Sequence, residues 1–265
     1  MHLLTLAVRP ADVERALDLL LPAYAEGVHL QPAAGHTEIL VYRAEPPEPP
    51  AGLDGLLVTS PTSVEVSDDW RVRRRDRFRA PVFGGRLLVR PEWADPVPGA
   101  DLEVVLAEAG AAFGSGSHPT TRACLELLCR MPVEDSIADL GCGSGVLAIA
   151  AAVLGWPEVH ALDVDPRSVQ AAAVNAQRNG VAVDVRAADL TTETPAPTTV
   201  ALANVPPFVH AALAARLSSR TVVATGVESG GAGEVVDHYR AAGYGLVSRE
   251  DILGWALIVL DRSAP

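Results

Sequence analysis

The chain of 265 residues contains no lysine; all 21 of its basic residues are arginine. A phosphate loop of the G-x-x-x-x-G-K-[ST] type is thereby excluded, because nothing else supplies its lysine. Aromatic residues are scarce, four each of Phe, Trp and Tyr, so Ala, Val, Leu and Gly carry the apolar half of the sequence. That mix suits helices packed tightly on a sheet better than a β-sandwich. Three cysteines (Cys124, Cys129 and Cys142) show no metal-site spacing; reduced thiols in a cytoplasmic protein are expected, and no metal. No apolar run approaches the ~18 residues of a membrane span. The opening "MHLLTLAVRP" lacks a basic segment followed by a long apolar one, so neither membrane insertion nor a signal peptide is expected. Positive charge is in deficit as well, with a net charge of -12. That balance opposes nucleic-acid binding through the phosphate backbone, and fits a small-molecule enzyme or one with a basic macromolecular partner.

What is present divides at a proline-rich stretch. Residues 1–44 read as a small α+β domain: "HLLTLAV" and "TEILVYR" have strand character, and "PADVERALDLLLPAY" has helical spacing after a proline. "AEPPEPPAG" continues neither strand nor helix, and residues 45–95 read as a linker and connecting segment. Within it, the arginine-dense run 71–79 reads either as a solvated, salt-bridged helix face or as an interaction surface. From 96 to 265 strands and helices alternate: "LEVVLAEA", "SIADL", "EVHALDVD", "VAVDVRAADL", "TTVALANV" and "RTVVATGV" as strands, with helices among them. Such alternation predicts βαβ units and a parallel sheet covered on both faces. "GYGLVSREDILGWALIVLD" closes the chain as a hairpin, which adds an antiparallel strand.

The chemistry is concentrated after "SIADL", in Gly141-Cys142-Gly143-Ser144-Gly145. A strand running into such a turn brings backbone close to a ligand, and the next helix aims its amides outward. A dinucleotide fold requires G-x-G-x-x-G, but position 146 is Val. Asp163 ends the next strand, where a carboxylate accepts both hydroxyls of an adenosine ribose; Asp165, before Pro166, serves better as the helix cap. Asp189 ends the strand after that, where it reads equally as an adenine contact or a turn residue. Asp139, before the glycines, points to a ligand amine. Ribose, adenine and an amino-acid tail together describe S-adenosylmethionine.

"DLGCGSG", the acidic strand end and "NVPP" are similar to the motif set of the seven-stranded S-adenosylmethionine-dependent methyltransferases. More narrowly, "AAFGSGSHPTTRACLELL", "LGCGSGVLAIAAAVLG", "ALDVDPRSVQAAAVNAQRNGV" and "ALANV" resemble the PrmA-type methyltransferases, which modify large-subunit ribosomal protein eleven. The resemblance implies a Rossmann-like α/β sheet of six parallel strands and one antiparallel, with a small N-terminal α+β domain for substrate recognition. It implies S-adenosylmethionine held by Phe113, Gly114, Thr121, Gly141, Asp163 and Asn204, beside the Asp139, Gly143 and Asp189 read from the residues themselves, with Asn204 also facing the acceptor. It further implies N-methylation of a basic ribosomal protein. "FGSGSHPTT" alone also reads as a Gly-Ser loop before a capped helix. "NVPPF" departs from the family and leans towards the "N-P-P-[YF]" of enzymes that methylate planar nitrogens, so another peptide or a small molecule stays open as acceptor. A cofactor-binding protein without catalysis is a third reading. Glu108, Asp189 and His210 are the candidate bases, and His118 before a proline reads as structural.

Overall fold

The computed structural model describes residues 2–20, 23–24, 28–33, 35–43, 45–65, 80–97, 100–107 and 118–263, in two compact units, Met1–Phe78 and Arg79–Pro265. The first unit is an antiparallel sheet of β1 (His2–Val8), β2 (Val28–Ala33), β3 (His36–Arg43) and β4 (Thr62–Glu65), in the order β2-β3-β1-β4. Alternation along β1 turns Leu4, Leu6 and Val8 inward. They meet Ile39, Val41 and the apolar stripe of α1 (Val13–Leu20). Beyond the proline-rich stretch, Leu53 and Leu56 return the chain to this same core. Two strands escape a reading of the sequence. β2 contains Pro32, tolerated on a sheet edge where no ladder hydrogen bond is needed. β4 is exposed along its whole length, so no alternation marks it.

The second unit begins with a three-stranded sheet of β5 (Val82–Phe83), β6 (Leu87–Pro91) and β7 (Leu102–Leu106), followed by α2 (Pro119–Arg130). There follow β8 (Ser136–Leu140), α3 (Val146–Val153), β9 (Glu158–Asp163), α4 (Pro166–Arg178), β10 (Asp184–Ala187), β11 (Val200–Asn204), α5 (Pro207–Ala214), β12 (Thr221–Glu228), α6 (Ala232–Ala241), β13 (Gly245–Ile252) and β14 (Trp255–Asp261). Their sheet has the order β10-β9-β8-β11-β12-β14-β13. Only β14 runs against the rest, so six strands share one direction, as expected. β8 is buried throughout and β11 almost so, as central parallel strands require. One face packs on α2, α3 and α4, and the other on α5 and α6. The reading of the sequence passed over α6, which buries Val235, Val236 and Tyr239. Small residues let these layers close: a Cβ added at Gly145 would stand 2.8 Å from the Cβ of Ala172 on α4.

Candidate functional site

Register gathers the candidate residues at one end of the sheet. Leu140 pairs with Leu162 on one side and with Ala203 on the other, and Asp163 pairs with Ala187. Gly141, Asp163 and Asn204 therefore share one row at the carboxyl ends of β8, β9 and β11. This is the crevice where open parallel sheets bind ligands.

The turn after β8 is held from three directions. The amides of Gly141 and Cys142 donate to the Leu162 carbonyl at 2.8 and 3.0 Å. Gly143 donates to Asp163 Oδ2 at 2.9 Å. The Ser144 carbonyl accepts from Asn175 Nδ2 at 2.9 Å. Gly141, Gly143 and Gly145 have φ of 77°, 53° and 78°, a region that favours glycine. Gly141 is also confined by contact, since a Cβ there would lie 2.5 Å from Val205 Cγ1. Cys142 is buried, and burial with the charges of Asp139 and Asp163 pushes its thiol up, so it stays protonated and inert.

Asp139 does not stand at the surface of this turn. It is 1% exposed and lies beneath α3, where Oδ2 accepts from the Ala148 amide at 3.1 Å. Because the N-cap of α3 is Gly145, which has no capping side chain, a strand carboxylate does the work of the cap. Among the described residues, its Oδ1 is buried without a partner. Desolvation pushes the carboxyl up to about 7; the Ala148 hydrogen bond opposes the rise and the Asp163 charge adds to it. The folded value thus lies above the unfolded one of 3.8, and the stability this group contributes is present at low pH and lost as pH rises through about 7. Asp139→Asn keeps an acceptor for Ala148 and removes the charge. Melting temperature is expected to rise by ~3 °C or more at about pH 8, with the gain vanishing near pH 4. Thermal melts across that range check this, and a gain independent of pH would contradict it.

Asp163 is committed to the backbone at both oxygens: besides Gly143, its Oδ1 accepts from the Asp165 amide at 2.9 Å. A carboxylate has about four acceptor sites, so this leaves capacity for a ribose diol. Asp165 caps α4 through the Arg167 amide, as read from the sequence. Asp189 Oδ1 accepts from the Thr191 amide and hydroxyl, at 2.8 and 2.6 Å, and these bonds hold its carboxyl below the usual range. Thr121 is buried in the first turn of α2. Asn204 is half-buried at the end of β11, and its side chain makes no hydrogen bond among the described residues. Phe113, Gly114, Glu108 and the arginine run 71–79 lie outside the described residues.

Two histidines are structural. His118 caps α2 through Thr120 and packs edge-on against Trp255, with ring centroids 4.9 Å apart. Burial pushes it down to about 4. His210 is fully buried, 2.9 Å from the Thr225 carbonyl at Nε2 and 3.1 Å from the Tyr239 hydroxyl at Nδ1. Burial pushes it, too, down to about 4. It braces β12 against α5 and α6, with both ring nitrogens engaged by protein groups. A residue that sequence reasoning missed is Gly226, with φ of 83°: a Cβ there would stand 2.6 Å from the Val205 carbonyl oxygen. Its absence of side chain lets β12 pass directly behind the Asn204–Val205 turn. The signal available was a lone glycine inside the strand run "TVVATGVE".

The strand order, the positive-φ glycine turn and the acidic end of β9 define the seven-stranded methyltransferase fold. Comparison narrows this. A family model described as Ribosomal protein L11 methyltransferase (PrmA) matches residues 52–263. The ribosomal protein L11 methyltransferase of Pseudomonas putida is 36% identical over 200 residues, 67% of this chain and 68% of that protein. That of Photorhabdus laumondii is 46% identical over 114 residues, 43% of this chain and 38% of that protein. A crystal structure of a ribosomal protein L11 methylase from Lactobacillus delbrueckii subsp. bulgaricus superposes with a TM-score of 0.61 at 25% identity, covering 70% of this chain and 99% of that one. This chain belongs to the PrmA family. Against the Photorhabdus, Enterobacter and Prochlorococcus relatives, its match spans 38%, 39% and 44% of their length. No helix among the described residues is long and apolar enough to cross a membrane, and no group of three or more His, Cys, Asp or Glu there could hold a metal ion.

Proposed function

We propose that the chain is an S-adenosylmethionine-dependent N-methyltransferase acting in the cytoplasm on amino groups of large-subunit ribosomal protein L11. The observation that carries this reading is the row of Gly141, Asp163 and Asn204 at the carboxyl ends of three adjacent parallel strands, in a chain of the PrmA family. The residues present fit the cofactor. The positive-φ turn offers close backbone approach, Asp163 keeps acceptor capacity for the ribose, and Asp139 holds a buried oxygen on the α3 side that has no partner among the described residues. When bound, S-adenosylmethionine supplies an electrophilic methyl carbon. The chain's own task is placement: Gly141 and Gly143 cradle the amino-acid end, Asp139 balances its ammonium, and Asp163 fixes the ribose. Thr121 and Asp189, with Phe113 and Gly114, complete the pocket. Asn204 orients a neutral acceptor nitrogen in line with the methyl group, and orientation supplies most of the acceleration. The acceptor proton leaves to water, more readily from an α-amino group (about 8) than from lysine (about 10.4). The net charge of -12 favours a basic protein partner, and the N-terminal unit is the part that positions it.

The test is mass spectrometry of purified L11 and other candidate acceptors after incubation with the chain and isotope-labelled S-adenosylmethionine. Labelled amino groups on L11 are expected. Label on another peptide or only on small molecules would replace the acceptor, and "NVPPF", which presents Phe208 at 67% exposure, is the feature that would then account for it. No transfer with intact cofactor binding would leave a non-catalytic partner protein.

A further inference from the structure

We infer that Asn175 is a positioning residue that ties the glycine turn to the chain just after β7, so that one buried amide sets the turn on which cofactor binding depends. The inference rests on the cofactor reading above. Asn175 is 3% exposed on α4. Its Nδ2 donates to the Ser144 carbonyl at 2.9 Å, and its Oδ1 accepts from the Ala107 amide at 2.8 Å. Ser144 lies in the turn between Gly143 and Gly145, and Ala107 is the residue from which the chain enters the segment leading to "FGSGSHPTT". One side chain thus bridges two stretches far apart in sequence, using its donor on one and its acceptor on the other. No other side chain of this size offers both at this spacing: aspartate lacks the donor, and leucine lacks both.

One helical turn later, Asn179 supplies the comparison. Its Oδ1 accepts from the Val105 amide and its Nδ2 donates to the Val105 carbonyl, both at 2.7 Å. β7 pairs with β6 along its other edge, so Asn175 and Asn179 together stand where a further strand would. Among the described residues, Asn179 nonetheless hydrogen-bonds β7 and its own helix only, not the glycine turn. The two residues therefore separate anchoring of β7 from setting of the turn.

The experiment compares wild type, Asn175→Ala, Asn175→Asp and Asn179→Ala as full chains. S-adenosylhomocysteine binding is measured by calorimetry, and amide hydrogen exchange of Gly143 to Val146 is followed without ligand. Both alanine variants are expected to lower the melting temperature. Only the Asn175 variants should weaken binding, by about tenfold, and speed exchange in the turn, whereas Asn179→Ala should stay within about twofold of wild type. Asn175→Asp retains the acceptor for Ala107 and loses only the bond to the turn, so it carries the test if the alanine variant does not fold. Wild-type affinity in a folded Asn175 variant, or equal loss in Asn179→Ala, would overturn the inference. Failure of the wild type to bind would overturn the cofactor reading itself, and the inference with it.

Discussion

Asp163→Ala is expected to weaken S-adenosylmethionine binding at least tenfold, read directly by calorimetry. Two losses combine. The ribose hydroxyls lose their charged acceptor, and a hydrogen bond to a charged group is stronger than a neutral one, contributing about 1.5–3 kcal/mol. The turn also loses its tether, because Gly143 donates to Asp163 Oδ2 and the Asp165 amide to Oδ1. Asp163→Asn does not escape this. Both protein partners are N–H donors, so an amide presents its own NH2 to one of them and satisfies only the other. The asparagine variant should therefore bind nearly as weakly as the alanine one, although it is isosteric. Unchanged affinity in either would remove Asp163 from the cofactor site.

Local signals were legible in the sequence where the chemistry is local. The glycines of the turn, the acidic end of β9 and the Asp165 cap each declare themselves within a few residues, and each occupies the expected element. A parallel sheet with an antiparallel strand added by the closing hairpin followed from the alternation of elements, and its count of six and one from the family resemblance. Features that depend on what lies across the fold were not legible. His210 looks like a candidate base in "PPFVHAAL", and only burial against Thr225 and Tyr239 shows that it is neutral and structural. Asp139 reads as a ligand contact beside three glycines, and that one of its oxygens also caps α3 is visible only once the helix lies over it. Asn175 and Asn179 sit in an ordinary amphipathic helix; their work is visible only once β7, some seventy residues earlier, lies alongside. β7 itself reads as one more strand of the βαβ series, but belongs to a separate three-stranded sheet.

Asn204→Ala is expected to cut turnover about a hundredfold while changing cofactor affinity less than about threefold. The contrast follows from how the residue is held. Its backbone position is over-determined: Val205 donates to the Thr225 carbonyl at 3.1 Å, Gly226 packs on Val205 with no room for a Cβ, and Pro206 and Pro207 restrict the chain that follows. The side chain, in contrast, is half-buried and spends no hydrogen bond on any described residue. A rigid mount for an uncommitted amide suits a group whose partner arrives with the acceptor. Removing the amide should leave the mount intact, so thermal stability should barely move. It takes away the hydrogen bonds that aim the nitrogen at the methyl carbon, and a misaimed nucleophile loses the orientation on which the rate depends. Steady-state kinetics at saturating cofactor, paired with calorimetry on the same preparation, separates the two quantities. Equal losses in turnover and affinity would move Asn204 to the cofactor alone, and no loss in either would take it out of the site.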